Sequence, residues 1–214
     1  MTNCILLLLT FCALSCTGSR NINPSPNTKK QEIPGRIECE YYDSGGEGIA
    51  YHDSDSINQG SGRLNPANGN FLHEFRMKEG VDISYTKTRG IDNNPFNKVN
   101  PDSNQLYVGW TVPGEWINYT IQVSTTAVYR VGVMYTANGD GRISFDLDGH
   151  TVTDPLKISS TYDNRDTVAW RQWHHWNKTD SLTSIKMKKG THKLTLHVID
   201  HGQMNFDYLD FVKE

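Results

Sequence analysis

The sequence predicts an all-β domain, a sandwich or barrel of antiparallel strands, and three observations carry that expectation. Apolar and polar residues alternate in four separate stretches. Short runs of Gly, Asn and Asp separate those stretches. No segment of the 214 residues sustains the 3.6-residue spacing of an amphipathic helix.

The alternation is clearest in the second half of the chain. In residues 115–123, Ile117, Tyr119, Ile121 and Val123 share one face, and Asn118, Thr120 and Gln122 share the other. Tyr129, Val131, Val133 and Tyr135 repeat the pattern in residues 128–137, and Ile143, Phe145 and Leu147 in residues 142–148. Leu194, Leu196 and Val198 alternate with Lys193, Thr195 and His197. A period of two with one apolar face is the signature of a half-buried strand. Asn138-Gly139-Asp140-Gly141, Asp148-Gly149 and Lys189-Gly190-Thr191 carry turn chemistry and read as tight hairpins. Two long stretches, 43–79 and 86–105, are rich in Gly, Asn, Asp, Ser or Pro. Long loops on a rigid β scaffold are where binding residues concentrate.

The N-terminus reads differently. Residues 1–15 hold an apolar run that is too short to span a bilayer and suits a signal peptide. It ends in Ala13-Leu14-Ser15-Cys16, which resembles a bacterial lipobox. That resemblance implies an acylated Cys16 and a lipid anchor at the bacterial outer membrane or cell surface. The departures are an n-region without Lys or Arg and Ala rather than Leu three residues before Cys16. An ordinary cleaved secretory peptide is the alternative, and both place the protein outside the cytoplasm. Residues 16–33 are polar, contain proline and are expected to form a flexible tether. Residues 34–214 then suit one all-β domain. Cys4 and Cys12 fall in the peptide, so Cys39 has no partner for a disulfide within that domain. The net charge is −3 and there is no basic stripe, which argues against nucleic acid. A monomer is expected.

Several segments resemble one family in order along the chain. Ile37-Glu38-Cys39-Glu40-Tyr41 resembles the Ile-Glu-Ala-Glu opening of family 6 carbohydrate-binding modules. The loop Glu47-Gly48-Ile49-Ala50-Tyr51-His52-Asp53 is similar to their Gly-Val-Ala-Tyr-His-Asp loop, and Glu79-Gly80-Val81-Asp82-Ile83 follows at the expected place. Val108-Gly109-Trp110-Thr111 and Gly114-Glu115-Trp116-Ile117-Asn118-Tyr119 resemble the central signature. Residues 190–194 and 204–211 resemble the closing strands. The resemblance implies a jelly-roll β-sandwich of two antiparallel sheets that binds polysaccharide or oligosaccharide without cleaving it. It also implies a site in the loops at one end, where two aromatic rings pinch a sugar and an asparagine bonds its hydroxyls.

Those roles fall on Trp110, Trp170 and Asn205. An indole face packs well on the C–H face of a pyranose, and an amide offers a donor and an acceptor to a vicinal diol. The competing readings are a core tryptophan for Trp110, a packed edge for the cluster Trp170, Trp173 and Trp176, and a turn residue for Asn205. Trp116, within a regular strand, is the better core candidate. Glu47 and Tyr51 are expected at the rim of the site.

Glu38 and Glu40 are two apart on a strand, so both carboxylates leave one face while Cys39 turns inward. The family resemblance implies a structural Ca²⁺ here, shared with Asp207 or Asp210, with backbone carbonyls completing its oxygen shell. A solvated pair facing Lys213 or Arg36 is the alternative. His197 and His201 lack the third ligand of a zinc site, and His174-His175 carries no signal. A glycosidase would need two carboxylates across a cleft, roughly 5–5.5 Å or 6.5–9.5 Å apart. Gly-x-Ser-x-Gly is absent. An enzyme and a protein-adhesion module are therefore the lesser readings, and the 86–105 loop is expected to narrow or close the site.

Overall fold

The computed structural model describes residues 31–201 and 203–214. The signal peptide, Cys16 and all but the last three tether residues lie outside the described residues.

The first part of the chain holds β1 (Gln31–Ile33), β2 (Gly35–Glu38), β3 (Tyr51–His52), β4 (Ser61–Gly62) and β5 (Asn65–Pro66). After a short helix α1 (Phe71–Glu74) come β6 (Ile83–Tyr85), β7 (Leu106–Val108), β8 (Trp116–Val123) and β9 (Ala127–Ala137). The rest comprises β10 (Gly141–Leu147), β11 (His150–Thr151), β12 (Leu156–Ile158), β13 (Asn177–Met187), β14 (Gly190–Asp200) and β15 (Met204–Lys213). One sheet is ordered β1-β8-β14-β10-β11, with β3 and β12 on its flanks. The other is ordered β13-β9-β15-β7-β6, with β2 beside β15. Pairing within them is antiparallel except for β1, which joins β8 in parallel. This is the β-sandwich that the alternation predicts.

The predicted inward faces form the core. Ile117, Tyr119, Ile121 and Val123 on β8 are buried against Tyr129, Val131, Val133 and Tyr135 on β9, with Phe145, Leu194 and Leu196 between the same sheets. Because side chains alternate strictly, burying one face of each strand fixes the pairing register. The register runs from Gly190 opposite Val123 to His197 opposite Trp116.

Three expectations are corrected. Residues 31–33, expected in the tether, belong to the domain, because Gln31–Ile33 is a strand and Ile33 is fully buried. Turn signals at residues 138–141 and 189–191 do reverse the chain, but the strands they join lie in different sheets. They are arches over the core rather than hairpins, since a local turn signal does not encode which sheet the next strand enters. Only Asp148-Gly149 closes a hairpin, with Leu147 opposite His150 and φ of 53° and 78° at the two turn residues. That pair of positive φ angles suits Asp-Gly. Trp116 is half-buried rather than core, tilted against His52 with ring centroids 6.5 Å apart.

The 86–105 loop is closed at its neck, where the Thr86 N–H donates to Gln105 O at 2.8 Å. It lies against the outer face of the β9 sheet. There Tyr107, Met134, Trp176 and Tyr208 form a second apolar cluster with Val99 packed on it. Trp176 O accepts the Lys98 and Val99 N–H groups at 2.8 and 3.2 Å. Trp176, grouped with Trp170 and Trp173 in the packed-edge reading, is fully buried in this cluster.

Candidate functional site

A cleft of about 500 Å³ opens at one end of the sandwich. Its walls are Trp110, Trp170, Trp173 and Tyr107, with Leu64, Ile91, Asn65, Ser84, Lys87, His174 and Gln203 completing the lining. Trp110 and Trp170, assigned to the site from the sequence, therefore line one cleft although 60 residues separate them.

Trp110 follows β7 and holds φ at 49°, a left-handed conformation uncommon for a residue with a side chain. Two local features permit it. Gly109 leaves room, because a Cβ there would stand 3.1 Å from Asn205 Oδ1 and 3.3 Å from the Tyr107 ring. The Trp110 N–H donates to Asn205 Oδ1 at 2.8 Å.

That bond fixes a longer chain. With Oδ1 accepting, the Asn205 amide nitrogen faces Thr136 Oγ1 at 2.8 Å and His174 Nδ1 at 3.0 Å. His174 Nδ1 is the partner that accepts from this amide. His174 Nε2 lies 2.8 Å from Asp92 Oδ1. Asp92 also accepts the Trp176 Nε1–H at 2.7 Å and the Lys87 N–H at 2.6 Å. Burial pushes the Asp92 carboxyl up, but the His174, Lys87 and Trp176 donors outweigh it and leave it below the ordinary carboxylate value. The cleft wall is thus bonded through the core to the 86–105 loop.

Trp170 stands on a 3₁₀ turn, Ala169–Arg171, and is 58% exposed. Its base is rigid. Arg171 Nε and Nη2 grip buried Asp166 at 2.7 and 2.8 Å, and His175 Nε2 lies 3.0 Å from the same carboxylate. The Arg171 bonds, together with His175, hold the Asp166 carboxyl well below the usual range despite its burial.

Three expected contacts do not line this cleft. Asn205 is fully buried beneath it and all its amide bonds are made within the protein, so it positions Trp110 rather than meeting solvent. Tyr51 is 4% exposed in the main core, its hydroxyl accepting the Gly80 N–H at 2.9 Å. Glu47 lies by the edge of the other sheet, 2.5 Å from His52 Nδ1 and accepting the Asp53 N–H at 3.0 Å. Sequence reasoning missed Lys87, Ile91 and His174. Loop length was the only signal for the first two, and nothing beside His174 in the sequence marks its role.

Around the expected calcium position, Glu40 and Asp207 are buried, and Glu38 is half-buried at the end of β2. Burial foremost, then the charges of Glu40, Asp207 and Glu38, raise the Cys39 thiol well above its ordinary value. Both Asp207 carboxyl oxygens are buried without a hydrogen bond of ordinary geometry, and burial followed by Glu38 drives its carboxyl far up. A cation would relieve that arrangement, so the donor set suits a hard oxygen-seeking ion. Among the described residues, however, no three His, Cys, Asp or Glu side chains converge as a formed metal cluster. Asp210 turns away, its carboxylate 3.5 Å from Lys178 Nζ.

A separate acidic corner lies near β3. Burial, with Asp53, Asp55 and Glu115 nearby, pushes the Asp82 carboxyl up to about 7, and burial with Glu115 and Asp55 pushes Asp53 to about 6.

Comparison with known proteins gives one family. Residues 82–213 match the model of the carbohydrate binding module, family 6. A family 6 module from Clostridium stercorarium, solved with cellobiose, superposes with a TM-score of 0.53 at 14% identity, covering 87% of this chain and 98% of that one. A family 43 arabinoxylan arabinofuranohydrolase from Bacillus subtilis, solved with cellotetraose, gives 0.50 at 15% identity. There the match covers 87% of this chain and 28% of the enzyme. No curated protein sequence is significantly similar to the chain.

Proposed function

Since this chain belongs to the family 6 carbohydrate-binding modules, we propose that its glycan is held between Trp110 and Trp170. The observation that carries the proposal is their presence in one open cleft, the first on a left-handed backbone bonded to Asn205 and the second on the Arg171–Asp166 turn. Each ring offers an apolar face to the C–H face of a pyranose. Asn65, Ser84 and Gln203 supply polar groups at the same lining. Non-catalytic binding is supported by the match to the family 6 carbohydrate-binding modules. Affinity at a single site is modest, since a sugar gives up well-solvated hydroxyls for small apolar contacts. Retardation on polysaccharide gels tests the reading, and loss of retardation in a folded Trp110→Ala, Trp170→Ala variant supports it.

A structural Ca²⁺ at Glu38, Glu40 and Asp207 is supported by the buried Asp207 carboxyl, which lacks a hydrogen bond of ordinary geometry, and by its acidic neighbours. The ion would neutralise those charges and tie β2 to β15. The residues around Cys16 support export and a lipid anchor, and the polar stretch before Gln31 supports a tether. Together these describe a monomeric surface module that holds polysaccharide close to a membrane.

A further inference from the structure

The cleft has one formally charged lining group, and it is a cation. Lys87 reaches the lining from the start of the 86–105 loop. Its Nζ lies 4.1 Å from the centre of the Tyr85 ring and 3.5 Å from Tyr85 O, a long contact for a hydrogen bond. The carboxylate that acts on it is Asp92, whose oxygens are engaged by His174, Trp176 and the Lys87 backbone N–H. His174, the other lining group of basic type, has both ring nitrogens engaged, Nδ1 by the Asn205 amide and Nε2 by Asp92. Burial lowers the Lys87 ammonium from its ordinary value, with Asp92 opposing that fall. Among the described residues this half-buried ammonium has a ring and a long carbonyl contact but no ion pair, and its residue lines the same cleft as the two tryptophans.

We propose that the sugar held in this cleft carries an anionic substituent, a carboxylate or a sulfate, which Lys87 receives. The proposal rests on the clamp reading of Trp110 and Trp170 and adds the chemical class of ligand to it. The physical basis is that a charged hydrogen bond in a partly dry cleft is stronger and more selective than a neutral one. A neutral sugar hydroxyl offers the ammonium one ordinary hydrogen bond, whereas an oxyanion offers a stronger, charge-assisted one.

The test uses the purified protein in affinity electrophoresis and calorimetry at low salt with matched glycan pairs. One pair is polygalacturonate and its fully methyl-esterified form. The other is a sulfated galactan and its desulfated form. At least one acidic member is expected to bind about tenfold or more tightly than its neutral counterpart, and the pair that shows the preference identifies carboxylate or sulfate. Lys87→Met removes that preference and Lys87→Arg keeps it. Equal binding of both members of each pair, lost in the Trp110→Ala, Trp170→Ala variant, overturns the inference and leaves the clamp standing. Acidic preference that survives Lys87→Met overturns it, and so does acidic binding that survives the double tryptophan variant. Failure of every glycan to bind a folded protein overturns the clamp as well.

Discussion

Replacing Asn205 by alanine separates a positioning residue from a sugar contact. Asn205 is fully buried and its amide makes three hydrogen bonds, to the Trp110 N–H at 2.8 Å, Thr136 Oγ1 at 2.8 Å and His174 Nδ1 at 3.0 Å. The Thr136 hydroxyl, which accepts here, can rotate to another partner, but the Trp110 N–H and His174 Nδ1 are fixed. Orphaning a buried polar group costs about 1–3 kcal/mol, so the variant loses about 3 kcal/mol. For a domain of this size that lowers Tm by about 6–12 °C. Trp110 also loses the bond that holds its left-handed backbone, so glycan affinity falls with stability. Thermal unfolding followed by circular dichroism, with affinity electrophoresis on the same samples, measures both. An Asn205→Ala protein with unchanged Tm and abolished binding would refute the reasoning, because that is the behaviour of a direct sugar contact.

Other perturbations follow from the same structure. Trp170→Ala removes a largely exposed ring, so it weakens binding while Tm moves by no more than about 2 °C. Trp176→Phe keeps the apolar body but strips Asp92 of one of its buried donors, and it costs about 1–3 kcal/mol in a denaturant titration. Asp82, with its carboxyl pushed up to about 7, favours the protonated form in the folded state. Its contribution is therefore full at acid pH and is lost as pH rises through about 7, so Asp82→Asn raises Tm at about pH 8 and leaves it unchanged at about pH 4. If Ca²⁺ bridges Glu38, Glu40 and Asp207, adding a chelator lowers Tm and added Ca²⁺ restores it, while Asp207→Asn abolishes the response.

The sandwich was legible because four strands bury one face against the other sheet, and period two records that directly. Where burial is on both faces, as at Met134 and Thr136 on β9, the record blurs, because the 86–105 loop covers the outer face. Sheet membership was not legible, since Gly-rich turns at 138–141 and 189–191 look the same whether a strand folds back or crosses the core. Trp110 and Trp170 could be placed by motif, and their meeting in one cleft is a tertiary fact. Asn205 shows the limit most clearly. An amide suits a diol and a buried backbone N–H equally well, and only the positions of Trp110, Thr136 and His174 decide between them. Glu47 and Tyr51 were placed by nearness in a long loop, but Tyr51 begins a strand and turns into the core.

The most direct test of the clamp is affinity electrophoresis of the protein and its Trp110→Ala, Trp170→Ala variant through a panel of plant and algal polysaccharides. Retardation by at least one polysaccharide, lost in a variant that keeps its fold, is the predicted result. Equal retardation of both proteins would contradict the account and move the glycan site away from this cleft.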